Sequence, residues 1–116
     1  MLNRVLIYTR RVEEMVAFYH LHFGFTAVQA EGDRIVELTD PDGGTGLLLH
    51  PAGKGQKQGQ SLVKLVFTVP DVVAFCQAAG AKGLEFGPVH HGDGYEFANA
   101  RDPSGNPVSV STRPQV

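Results

Sequence analysis

At 116 residues, 42% hydrophobic and 19% charged, the chain suits one domain or two half-size modules sharing a core, with the composition of a soluble globular protein. Its net charge of −2 and pI near 6.2 offer no global attraction to nucleic acid or to an anionic membrane, and the lone Cys76 excludes an intrachain disulfide framework. No apolar run approaches membrane-spanning length and the N-terminus lacks the signal-peptide pattern, so a cytoplasmic protein is expected.

The first element, Leu2 to Thr9 ("LNRVLIYT"), alternates and is rich in branched residues, which predicts a strand. Thr9 is placed to cap a helix whose first turn carries Glu13 and Glu14, where the macrodipole favours negative charge. Val12, Met15, Val16, Tyr19 and Phe23 recur at helical spacing, and Gly24 stops the run. Three strand-like runs follow, Phe25 to Ala30, Arg34 to Thr39 and Thr45 to His50, with the turn Asp40-Pro-Asp-Gly between the last two. Pro51 to Gln60 has almost nothing to bury and reads as a linker.

The same order then begins again. Leu62 to Val69 reads as a strand, and Pro70-Asp71 opens a helix bearing Val72, Val73, Phe75, Cys76 and Ala79 that Gly80 ends. Strands are predicted at Gly83 to Phe86, Tyr95 to Arg101 and Val108 to Thr112, with the turn Asp102-Pro-Ser-Gly 62 positions after the first. The helices echo each other too, "MVAF" from Met15 and "VVAF" from Val72. A repeated turn inside a repeated strand–helix–strand–strand–strand order marks a duplicated module, residues 1–50 and 61–113 of a single 1–116 domain.

"FYHLHFGF" from Phe18, the two Asp-Pro-x-Gly hairpins and "GPV" from Gly87 resemble the vicinal oxygen chelate superfamily, which includes glyoxalase I, bleomycin-resistance proteins and extradiol dioxygenases. The resemblance implies an α+β fold of two βαβββ modules, each curling a mixed sheet around a shared cavity, and a homodimer. Metal-using members take ligands from the first and last strands of each module. Carried over, those positions fall on Arg4 and Lys64, on Leu47 to within one residue, and on Ser109. Guanidinium and ammonium have no free lone pair, Leu cannot ligate, and a lone Ser hydroxyl is a poor donor, so no metal and no other cofactor is expected.

Strand alternation groups Ile35 with Glu37, and Tyr95 and Phe97 with Asn99. By resemblance, those phases and that of Arg4, Leu6 and Tyr8 face the cavity. It would then hold Arg4, Tyr8, Glu37, Lys64, Asn99 and Ser109 among Leu6, Ile35, Leu47, Val66 and Phe97. Two cations against one carboxylate favour a small anionic ligand, bound by Arg4, Lys64, Asn99, Ser109, Phe97 and Tyr95. The bland alternative is that Arg4 or Lys64 forms a structural ion pair with Glu37.

A second reading is a metal-independent lyase or isomerase, with Glu37 as base, Arg4 and Lys64 stabilising an enolate-like anion, and Tyr8 donating a proton. A bleomycin-resistance-like drug binder is a third, although its cationic ligand suits an acidic groove. An accessory module whose cavity its own side chains fill is a fourth. Cys76 reads as inert packing, and His20 with His22 as surface residues. His90-His91-Gly92-Asp93-Gly94 reads as a loop able to act as a lid. His50 sits at a strand end, where it could join His90 or His91 and Glu96 in an off-family metal site. There is no dinucleotide, Walker or nucleophile-elbow motif, and no basic stripe for nucleic acid.

Overall fold

The computed structural model describes residues 1–114 and divides into two units, the first Met1–Gln58 and the second beginning at Gly59. In the first unit the chain runs β1 (Arg4–Thr9), α1 (Val12–Phe23), β2 (Thr26–Val28), β3 (Val36–Thr39) and β4 (Gly46–Pro51). The second repeats the order with β5 (Leu65–Thr68), α2 (Val72–Ala81), β6 (His90–His91), β7 (Glu96–Arg101) and β8 (Pro107–Ser111). Each unit folds as βαβββ with an open four-stranded mixed sheet, ordered β1-β4-β3-β2 in one and β5-β8-β7-β6 in the other. The first and last strands of each module pair parallel, and the rest pair antiparallel.

Helix α1 is sealed onto its sheet by Met15, Phe18 and Tyr19, all buried against the strand phase of Val36, Leu38, Leu47 and Leu49. Phe18 joins the face that periodicity assigned to Val12, Met15, Val16, Tyr19 and Phe23. Gly24 ends the helix in the left-handed region at φ 75°, which a residue with a Cβ enters only at a cost. Thr9 does not cap α1. Its Oγ1 accepts from Arg11 N–H at 2.9 Å, and the N-cap position falls to Arg11, whose side chain makes no capping bond. In the second unit Asp71 does cap, accepting from Ala74 N–H at 3.0 Å. Val72 and Ala79 are the buried residues of α2, whereas its neighbour Val73 is 45% exposed.

Two stretches differ from expectation. Gly83 to Phe86 forms no strand. The chain beyond it touches β7 through Gly87 N–H to Asn99 O at 2.9 Å. The second module's second strand comes instead from His90–His91, which lie at the sheet edge and pair antiparallel with Phe97 and Glu96. A turn at Gly92, closed by Gly92 N–H to Tyr95 O, delivers these two residues in register with β7. The residues after Pro51 are not a loose linker throughout. The Arg10 guanidinium donates to the carbonyls of Lys54 and Gln56 at 2.8 and 3.2 Å and holds that segment against its own unit.

The two Asp-Pro-x-Gly turns match in backbone but not in side-chain bonding. Gly43 and Gly105 occupy the same left-handed position at φ 78° and 82°, each donating its N–H back to the turn's Asp carbonyl. The first turn is one residue longer before its strand begins. Glu37 therefore registers with Leu48, where the equivalent Asn99 registers with Ser109.

Candidate functional site

Alternation along each strand leaves one sheet face packed by the helix and the other free of it. On the helix-free face of the first unit stand Arg4, Leu6 and Tyr8 from β1, Glu37 from β3, and Leu48 and His50 from β4. Leu47, carried over as a cavity residue, belongs to the other phase. It registers with Val5 and Leu38 and is 3% exposed, so the extra turn residue moves Leu48 into the face.

Arg4 reaches across β4 to Glu37, with Nε 2.7 Å and Nη2 2.5 Å from the same carboxylate oxygen. Both side chains are about two-fifths exposed, so the pair contributes no more than about 1 kcal/mol to stability. Its consequence is electrostatic: each charge is neutralised by the other. Tyr8 and His50 are register partners with ring centroids 5.3 Å apart, edge to face. His50 Nδ1 lies 2.8 Å from Pro51 O, a carbonyl that can only accept, so Nδ1 is the donor of that bond.

The second unit builds the corresponding face differently. Lys64 reaches across β8 to place its ammonium 2.8 Å from Asn99 Oδ1, the counterpart of the Arg4–Glu37 span with a neutral partner. Among the described residues Lys64 makes no ion pair. Ser109, register partner of both Val66 and Asn99, is 3% exposed between them. Phe97 and Tyr95 share Asn99's phase, as does Arg101, which sequence reasoning passed over although the i, i+2 rule reaches it. Lys64, Asn99 and Arg101 line an open groove of about 590 Å³ together with Leu84, Glu85, Ala100 and Pro107. Arg101 also donates to Gly105 O at 2.6 Å, which anchors it at the groove end.

The histidine loop resolves into two faces. His90 stacks near Phe97, whereas His91 points to the other face, its Nδ1 3.5 Å from Glu96 Oε2. Successive residues of a strand cannot both turn to one ligand. Cys76 is half-buried, and desolvation pushes its thiol above the usual range, which keeps it in the unreactive protonated form.

The donor set at the four metal positions of the resemblance is Arg4, Leu48, Lys64 and Ser109. One hydroxyl among two cations and an alkyl group does not fit a divalent ion. Among the described residues no three His, Cys, Asp or Glu side chains are placed to hold a metal together. No helix among them is long and apolar enough to cross a membrane.

No curated protein matches the sequence significantly. Solved structures do match in fold across nearly the whole chain. The integron cassette protein HFX_CASS4, from the mobile metagenome of the Halifax Harbour sewage outfall, superposes with a TM-score of 0.80 at 17% identity, covering 97% of this chain and 98% of that one. TnmS3, an antibiotic binding protein from Streptomyces sp. CB03234, gives 0.78 at 18% identity, over 95% and 93% of the two chains. A superfamily member from Sphaerobacter thermophilus gives 0.78 at 20% identity, over 96% and 95%. The family model for this superfamily matches residues 1–110, so the tandem βαβββ chain described above belongs to the glyoxalase/bleomycin resistance protein/dioxygenase superfamily.

Proposed function

We propose that this chain is a metal-independent binding protein for a small anionic molecule, acting as a homodimer. One observation carries the reading. Of the two cations that span the sheets, Arg4 is neutralised by Glu37, while Lys64 rests on the amide of Asn99 and keeps its charge. With Oδ1 turned to Lys64, Asn99 has its amide nitrogen left as a second donor on the same face, and Arg101 adds positive charge along the groove. Binding residues in this reading are Lys64, Asn99, Arg101, Ser109, Phe97 and Tyr95, with Arg4 relegated to structure. TnmS3 is described as an antibiotic binding protein, and a binding role of that general kind suits the same fold. A thermal-shift screen tests the proposal: carboxylates and phosphates should stabilise the protein more than cationic drugs do. Greater stabilisation by the cations would overturn it.

The enzymatic reading, with Glu37 as base and Tyr8 as acid, is weaker on this geometry. The Glu37 oxygen nearest Arg4 accepts from two guanidinium nitrogens, so that oxygen is already engaged within the protein and is not turned to a substrate proton.

Metal independence follows from the donor set and has its own check. Elemental analysis of untagged protein should give well under one Zn, Ni, Mn or Fe per chain after mild chelation. One retained equivalent would contradict it.

The dimer is supported by apolar side chains on the helix-free faces, with Leu6 39%, Tyr8 48% and Val66 61% exposed. Exposed apolar groups gathered on a sheet face mark a surface that is covered in use. Light scattering at micromolar concentration should give about twice the 12.5 kDa chain mass, and a strict monomer would refute the assembly.

A further inference from the structure

We infer that the linker is a working part of the anion groove. Gly59, its last glycine, seats on the turn that runs from Asp102 to Asn106 and, through the Gly105 carbonyl, positions the Arg101 guanidinium, so that anion binding and linker seating are coupled. The inference deepens the anion-binding reading and rests on it. Arg101 lines the groove with Lys64 and Asn99, and its Nη1 donates to Gly105 O at 2.6 Å. That bond occupies one guanidinium N–H and leaves the others for a ligand. The direction of the Gly105 carbonyl therefore sets where the cation stands. Gly59 covers that glycine directly. A Cβ on Gly105 would fall 3.0 Å from Gly59 Cα, and one on Gly59 would fall 3.6 Å from Ser104 O and 3.8 Å from Gly105 O. The two glycines are left-handed, Gly59 at φ 74° and Gly105 at φ 82°, and neither position has room for a bulky side chain. All of these residues belong to the second unit, which begins at Gly59.

The first module lacks each part of this mount. Its turn holds Gly43 at φ 78°, the conformation of Gly105, yet a Cβ there would meet nothing within 4 Å. The residue 62 positions before Arg101 is Thr39, which carries no charge. Asp40 is half-exposed, whereas Asp102 is buried, with Ser104 N–H, Asn106 N–H and Asn106 Nδ2 all donating to its carboxylate. One copy of a duplicated turn is thus fixed from within, covered by the linker and bonded to a groove cation. The other ends a hairpin. A guanidinium already held in place loses less freedom when it meets an anion, so seating the linker raises affinity. Coupling between sites is reciprocal, and a bound anion must in turn hold the linker down.

Limited trypsin proteolysis of the intact protein tests this, with inorganic phosphate and acetate as probes and calorimetry to read their affinity. Cleavage after Lys57 needs the neighbouring linker to open, and its rate follows the open population. Saturating anion should slow it several-fold relative to cleavage after Arg34, in an exposed stretch of the first unit. Arg101→Gln should weaken anion binding and abolish the slowing, even where the variant is saturated through Lys64. Gly105→Ala should weaken anion binding several-fold and speed cleavage after Lys57. Gly43→Ala is its control, with the same left-handed cost and no neighbour to displace, and should leave both readings unchanged.

If an anion binds yet leaves the cleavage ratio unchanged, or if Arg101→Gln keeps the slowing, the coupling is absent and the anion reading stands. If Gly105→Ala and Gly43→Ala bind the anions alike, Gly59 does not position Arg101 and the inference is wrong. Should Gly105→Ala fail to fold, the ratios in the unsubstituted protein and in Arg101→Gln decide alone. If neither phosphate nor acetate binds at millimolar concentration, the anion reading fails and the inference with it.

Discussion

Lys64→Met is expected to abolish the stabilisation that small anions confer while leaving the free protein folded. Lys64 is exposed and bonds to the neutral Asn99 Oδ1, so its loss strands no buried charge. A ligand that binds only the folded state adds about 2.7 kcal/mol at a hundredfold excess over its dissociation constant. For a domain of this size that corresponds to a rise in Tm on the order of 10 °C. The substituted protein should show almost none of it. Arg4→Met provides the contrast. Because the Arg4 charge is spent on Glu37, its removal should leave most of the anion response in place and cost no more than about 1 kcal/mol of stability. Equal losses from the two substitutions would mean that charge alone, and not its pairing, selects the ligand. An undiminished response in Lys64→Met would remove the groove from consideration.

The second expected result concerns the paired turns. Asp102→Ala should destabilise the protein by roughly 1–3 kcal/mol, and Asp40→Ala by less than about 1 kcal/mol. Asp102 is 4% exposed, and its carboxylate accepts from Ser104 N–H at 2.9 Å, Asn106 N–H at 3.0 Å and Asn106 Nδ2 at 3.0 Å. Truncation would leave those donors buried without their acceptor. Asp40 lies at a half-exposed turn and accepts from Gly44 N–H at 2.6 Å, a donor that water can serve instead. Urea unfolding of the two variants gives the comparison directly. Equal costs would show that the Asp-Pro-x-Gly motif acts only through its backbone conformation.

Much of the architecture is local chemistry and was readable along the chain. Gly24 must stop α1 because its backbone enters the left-handed region, and Asp71 must start α2 because it can accept from Ala74 N–H. Helical spacing placed Met15 and Tyr19 in the core, and alternation placed Tyr95, Phe97 and Asn99 on one face. The duplicated turn announced the duplicated module. Apart from the duplication, each of these signals spans positions no more than four apart, the range across which backbone geometry and side-chain chemistry decide between themselves.

What only the tertiary structure decided depends on pairing across strands. One extra turn residue after Asp40 exchanged Leu47 for Leu48, because a slip of one position reverses every side chain on a strand. His90–His91 displaced Gly83 to Phe86 as the edge strand through register with β7, which no local propensity encodes. Above all, composition counted Arg4, Lys64 and Glu37 as two cations sharing one carboxylate, and could not say which cation held it. The sheet order settled that: β4 brings Arg4 within reach of Glu37, β8 brings Lys64 to Asn99, and the surviving charge is a property of strand pairing.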